Sequence, residues 1–196
     1  MSALARSVGL IFFALTTVAH GASQTTQVGG SGGSPFKILC PPNHVLIGFN
    51  MRTGSALDAI APACKRLKAD GTTLMPISNP GATGGNGGHS NRVNCMGANT
   101  FVARLNVFVD RFEIVNHIEI QCRTLANSAP SGVFRPQEGI GGQAVRSFTV
   151  ECQTGHIPNG IIGRSGALID RLGLHCDASS VIAPRQLEAI RRYWPY

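Results

Sequence analysis

Apolar and polar residues alternate over residues 101–109 and 115–122, where Ile118, Ile120 and Cys122 fall on one side of the chain. A period of two is that of a strand with one face buried. Glycine-rich turns separate such runs about every ten residues, so the pattern predicts an all-β protein of short antiparallel strands. Two segments break it. Near the start, Val8 to Leu15 is an apolar run preceded by a single positive charge, Arg6, and followed by small residues at Ala19 and Gly21. That order is the order of an export signal, so residues 1–21 are expected to be a cleaved leader and residues 22–27 a linker. The run is well short of the roughly 20 residues a spanning helix needs, and no transmembrane segment is expected. At the other end, Leu187, Ile190 and Trp194 share one side of residues 184–196, with Arg191 and Arg192 nearby, which predicts a short helix in a C-terminal tail, residues 183–196.

Between these ends the chain repeats itself. Glycine-rich segments begin at Gly29, Gly84 and Gly139, each 55 residues after the last: Gly-Gly-Ser-Gly-Gly, Gly-Gly-Asn-Gly-Gly and Gly-Ile-Gly-Gly. Each is followed by a short β-like run ending in a cysteine, at Cys40, Cys95 and Cys152, and a second cysteine closes each unit at Cys64, Cys122 and Cys176. Units one and three match more finely. Sixteen, twelve, ten and six residues before the closing cysteine stand Gly48 and Gly160, Arg52 and Arg164, Gly54 and Gly166, and Asp58 and Asp170. Unit two departs, with Phe112 in the place of Gly54 and Gly166 and Asn116 in the place of the aspartate. Repeats at about 28–83, 84–138 and 139–182 can each form one small sheet, and three sheets around an axis bury their inner faces together. The expected fold is a β-prism of three antiparallel sheets with a pseudo-threefold repeat.

Six cysteines in a chain with an export signal point to disulfides. Sequence alone does not choose among the 15 pairings, but equivalence of the units favours one bond inside each, worth roughly 3 kcal/mol for a loop of about 25 residues. A zinc site is the alternative, and His44, His89, His117, His156 and His175 show no ligand spacing. With 43% hydrophobic and 14% charged residues the chain is neither disordered nor fibrous. Its charge is +7, and loss of the leader removes one of the 17 basic residues against 10 acidic ones, leaving +6. Such a surface attracts anions. Nucleic-acid binding would want basic residues interleaved with stacking aromatics, and only 6% of the residues are aromatic.

The stretch Ile161-Ile-Gly-Arg-Ser-Gly-Ala-Leu-Ile-Asp-Arg-Leu-Gly-Leu-His175 resembles the last repeat of the jacalin-related lectins, and the glycine clusters resemble that family's second hallmark. The resemblance covers residues 28–181 and implies a three-sheet β-prism. It also implies non-covalent binding of glycans or glycoconjugates by a Gly-x-x-x-Asp loop facing a glycine-rich loop of the neighbouring repeat, with no enzymatic activity and no cofactor. Carried onto this chain, Gly166, Ala167, Leu168 and Asp170 would face the segment that begins Gly29-Gly30, and Gly54 and Asp58 the segment that begins Gly84-Gly85. Unit two would hold no working site.

An ionised aspartate accepts hydrogen bonds from two adjacent sugar hydroxyls, and charge-assisted bonds are the stronger kind. Glycine opposite it leaves room for the ring. The same spacing also suits a plain turn in which the carboxylate caps loop amides. No aromatic stands between Gly54 and Asp58 or between Gly166 and Asp170, so weak binding at each site and gain from two sites together are expected. Arg52 and Arg164 either orient the aspartate or an anionic ligand, or are solvated loop residues. A structural or envelope protein, resembling the vitelline-membrane outer-layer proteins, is the alternative of the same fold. Oligomeric state is left open.

Overall fold

The computed structural model describes residues 23–68, 72–125, 129–136 and 143–177. The expected leader and the tail helix lie outside the described residues. All regular structure among those described is strand, in chain order β1 (Ser23–Gln24), β2 (Val28–Gly29), β3 (Ser34–Leu39), β4 (His44–Thr53), β5 (Leu57–Leu67), β6 (Thr73–Ser78), β7 (Thr83–Gly84), β8 (His89–Asn94), β9 (Thr100–Val109), β10 (Val115–Thr124), β11 (Pro130–Phe134), β12 (Arg146–Glu151), β13 (Ile157–Ser165) and β14 (Ile169–Asp177). They form three antiparallel sheets. Sheet I runs β6-β5-β4-β8 with β7 on β5, sheet II runs β11-β10-β9-β12, and sheet III runs β1-β14-β13-β3 with β2 on β14.

This is the β-prism that the alternation and the repeat predict, with one correction to the expected one sheet per repeat. Each sheet takes a central hairpin from one repeat and an edge strand from the next. β8 joins β4, β12 joins β9, and β3 closes the ring on β13. The physical cause is visible at Gly48 and Gly160, where the incoming strand runs so close that an added Cβ would overlap the carbonyl oxygens of Val93 and Ile38. The segment expected as a linker also contributes. Ser23 and Gln24 pair with Cys176 and His175.

The inward faces meet in one core, with Phe49, Leu57 and Ile60 from sheet I, Leu105, Ile118 and Ile120 from sheet II, and Ile161, Ile169 and Leu172 from sheet III. Each is wholly buried, and burial of such a side chain is worth roughly 1.5–3 kcal/mol. A bulge between Leu46 and Gly48 switches the face that β4 presents. Val45 and Ile47 thereby join Ala63, Phe101, Ala103 and Leu125 in a second cluster between sheets I and II.

The three disulfides are Cys40–Cys64, Cys95–Cys122 and Cys152–Cys176, one per repeat as equivalence of the units favours. Because the sheets exchange edge strands, every bond inside a repeat joins two sheets: III to I, I to II and II to III.

Candidate functional site

The two Gly-x-x-x-Asp segments are the hairpin turns at one end of the prism. Thr53 pairs with Leu57 and Ser165 with Ile169, and each turn is tightened by a bond from the glycine amide, Gly54 to the Ala56 carbonyl at 3.0 Å and Gly166 to the Leu168 carbonyl at 2.9 Å. Asp58 and Asp170 are thus the second residues of β5 and β14. Ala167 is exposed and Leu168 half-buried.

The glycine-rich segments meet these turns as the resemblance implies, the 84–88 segment against Asp58 and the 29–33 segment against Asp170. The division of labour within each segment differs from expectation. Gly29, Gly30, Gly84 and Gly85 anchor the backbone. Gly84 pairs with Ala59 and Gly29 with Arg171, while the Gly85 and Gly30 amides donate to the Asp58 and Asp170 carbonyls at 2.9 and 2.8 Å. The glycines that stand at the carboxylates are the second pairs, Gly32-Gly33 and Gly87-Gly88. A methyl group at Gly33 would lie 2.6 Å from Asp170 Oδ2, and one at Gly88 2.5 Å from Asp58 Oδ2. Both residues also have φ near +60°, which side chains other than glycine's rarely adopt.

A residue pair left undecided by sequence turns out to hold these loops. Arg52 donates through Nε to the Gly87 carbonyl and through its terminal nitrogen to the Gly88 carbonyl, both at 2.7 Å. Arg164 does the same to Gly32 at 2.8 Å and Gly33 at 2.6 Å. The guanidinium fork fixes two carbonyls, and through them the peptide units opposite the carboxylate. The signal available was the recurrence of Arg twelve residues before the closing cysteine.

Among the described residues, neither aspartate carboxylate has a hydrogen-bond donor from the protein. Asp58 is 9% exposed, and its Oδ2 is sealed from solvent with no partner. Asp170 is more open. The capping reading of the motif describes a different residue. In unit two Asp110 Oδ1 accepts from the amides of Phe112 and Ile114 at 2.8 and 3.0 Å, closing that turn on itself. Asn116, at the aspartate position, is buried; its Nδ2 donates to the Ser55 carbonyl at 3.1 Å and its Oδ1 lies 2.8 Å from His117 Nδ1. The glycine-rich partner of this unit, residues 139–142, lies outside the described residues.

The turns of the three units touch. Gly30 N donates to the Glu113 carbonyl at 2.8 Å, Gly85 lies against the Ala167 backbone, and the hydroxyls of Thr83 and Ser165 are 2.5 Å apart. Between them opens a cleft of about 530 Å³ lined by Ser55, Ala56, Phe112, Asn116, Val145 and Leu168, among others. Phe112 stands at its rim, 67% exposed, with the Arg111 guanidinium 4.6 Å above its ring. Two histidines have lowered pKa values, His175 toward the far end of β14 and His117 beside Asn116 of the cleft. Burial holds His175 below its ordinary value, with Lys37 acting in the same direction and Asp177 against it, and its Nδ1 faces Asn159 Oδ1 at 2.7 Å. His117, stacked on Phe108 on the outer face of sheet II, is likewise lowered chiefly by burial. No three His, Cys, Asp or Glu side chains among the described residues cluster as ligands of a metal ion would.

No protein-family model matches the sequence, and no curated protein matches it. The fold has clear counterparts among solved structures. A Malaysian banana lectin superposes with a TM-score of 0.57 at 18% identity, over 80% of this chain and 98% of the lectin. A mannose-specific jacalin-related lectin from Morus nigra, solved with mannose, gives 0.55 at 15% identity over 84% and 99%. Single-chain recombinant jacalin gives 0.57 at 8% identity over 84% and 99%. The resemblance read from the repeats is thus met in three dimensions: this chain has the fold of the jacalin-related lectins.

Proposed function

We propose that the protein is a secreted, non-enzymatic carbohydrate-binding protein that holds glycans through Asp170 and, more weakly, Asp58. One observation carries this reading. Two carboxylates at equivalent places in the prism lack a protein donor and face glycine pairs whose peptides are pinned by arginine. The third unit-equivalent turn, by contrast, spends its acid on its own amides. A buried or half-buried carboxylate without a partner costs free energy, and a sugar's vicinal hydroxyls are donors that would remove the cost. Bare glycine opposite lays no side chain over the carboxylate, and the fixed loop means little is lost in ordering it on binding. Asp170 is the principal site because its carboxylate is open; at Asp58 one oxygen is sealed and only the other can serve. The banana and Morus nigra lectins that share the fold support the class of ligand. The leader-like residues 1–21 and the three disulfides support export.

A glycan array probed with the oxidised mature protein tests this directly, mannosides included. Binding is expected, with Asp170→Asn weakening it about tenfold to a hundredfold, the range of one charge-assisted bond at about 1.5–3 kcal/mol. Asp58→Asn should cost less, and the double variant should abolish binding. A folded protein that binds no glycan, or a double variant that binds as well as the parent, would leave the structural reading in its place.

A further inference from the structure

Sheet I carries a second opening, beside the glycine-rich segment that crosses β5. It is a cleft of about 370 Å³ between Asn50, Arg52, Ala59 and Ala61 on the sheet and residues 82–86 of the crossing chain. The pseudo-threefold repeat shows why it exists. Counting from the aspartates, Ala59 corresponds to Arg171 and Ala61 to Gly173. In the third repeat the same place is filled by the protein itself. Arg171 Nε reaches the Gly29 carbonyl at 3.3 Å, and a Cβ at Gly173 would meet Gln27 Cγ at 3.0 Å and Thr25 Oγ1 at 3.2 Å. Thr25 is tied down there, its amide donating to the Leu174 carbonyl at 3.1 Å and its hydroxyl accepting from the Leu174 amide at 2.8 Å. Unit one has Ala59 where unit three has Arg171 and Ala82 where unit three has Gln27, while its β6 takes the place on β5 that β1 takes on β14.

The chemistry of the opening is specific. Its floor is apolar, from the methyl groups of Ala59, Ala61 and Ala82. Its rim is amide. Asn50 Nδ2 is spent on Asn79 Oδ1 at 2.6 Å, which leaves Asn50 Oδ1 as an acceptor, and the exposed Asn86 has no hydrogen-bond partner among the described residues. The one cation, Arg52, is committed to the Gly87 and Gly88 carbonyls. An anion therefore finds no free charge here. A group that offers one carbonyl, one N–H and one methyl fits: the carbonyl to the Asn86 amide, the N–H to Asn50 Oδ1, the methyl on the alanines. The volume lies at the low end for small-molecule pockets, suited to a single ring.

We infer that this cleft binds the acetamido group of an N-acetylated sugar. The inference rests on the glycan-binding reading and adds a class of sugar that the Asp58 and Asp170 turns do not select. The test is a titration of the ¹⁵N-labelled, oxidised protein with N-acetylglucosamine and, separately, with glucose, which has the same ring without the acetamido group, and with methyl mannoside. N-acetylglucosamine should move the side-chain amide signals of Asn50 and Asn86 with an affinity at least fivefold above that of glucose. Ala59→Arg, which copies unit three, and Asn86→Ala should each remove that preference while Gly32 and Gly33 respond to sugar as in the parent. If Asn50 and Asn86 respond equally to both sugars or to neither, while Gly32 and Gly33 respond, the acetamido cleft is refuted and the aspartate sites stand. If Asn50 and Asn86 show the preference while Gly32, Gly33, Gly87 and Gly88 are silent to every sugar, the cleft stands and the aspartate sites fall. Silence everywhere overturns both.

Discussion

Arg164 and Arg52 shape the candidate sites by gripping the loops opposite the aspartates. Each spends its guanidinium on two successive glycine carbonyls, in a geometry that only a planar fork can satisfy. Removing Arg164 frees a loop whose glycines have no side chains of their own to hold it, and Gly33 must then keep its φ of +60° unaided. Arg164→Ala is expected to speed amide hydrogen exchange over residues 29–33, to weaken glycan binding severalfold and to cost about 1 kcal/mol of stability, since the bonds are exposed. Arg164→Lys should not rescue the exchange rates, because an ammonium cannot span both carbonyls. Unchanged exchange in Arg164→Ala would show that the loop is held by Gly30 and β2 alone. The arginines were visible in the sequence as a recurrence, but their partners lie 131 and 132 residues away in unit three and 35 and 36 in unit one. Nothing local to the arginines names those partners.

At the scale of strands, alternation located β9 and β10 to within a residue or two of their ends, because each has one face in the core and one outside. The edge strands were less legible. β1 and β2 are two residues each and owe their existence to β14, not to any pattern of their own. A pairing across β13 and β14 also sets a pH response. His175 on β14 faces Asn159 on β13 in a buried pair, and burial holds its pKa below the ordinary 6.5. The unfolded chain then takes up the proton first. This residue's contribution is full above about pH 6.5 and is lost as the pH falls below it toward the folded value. Denaturation midpoints followed from about pH 8 to about pH 5 should fall on acidification, and His175→Gln should flatten the fall. An identical slope in the variant would assign the dependence elsewhere, with His117 the next group to examine, since it is lowered in the same direction.

For the whole molecule, the exchange of edge strands changes what the disulfides do. A bond inside a repeat that formed its own sheet would only staple that sheet. Here each joins two sheets, so the three together form a ring around the core. Replacing Cys40 and Cys64 together by alanine is expected to cost roughly 2–5 kcal/mol, the usual loss for a native bridge, seen as a lower denaturation midpoint. The loss should reach beyond unit one. β3 closes sheet III, so exchange in the Asp170 turn should quicken as well as in the Asp58 turn. Quickening confined to sheet I would mean that the sheets are coupled through the core and not through the bridges.

The chain's own pattern was enough to establish β-structure, the threefold repeat and the pairing favoured for the cysteines, while the two aspartates opposite glycine-rich segments came from the family resemblance. The first three follow from period, spacing and self-similarity, which are properties of one dimension. Which glycines stand at the carboxylates, what the arginines grip, that Asp58 is closed while Asp170 is open, and that Ala59 leaves a hollow where Arg171 fills one, were decided only by the tertiary structure. These depend on which segment of a distant repeat arrives at a given turn, and on the volume left once it has packed there. Equivalent positions in a repeat share a backbone path, but the space around each is set by side chains that the repeat does not preserve.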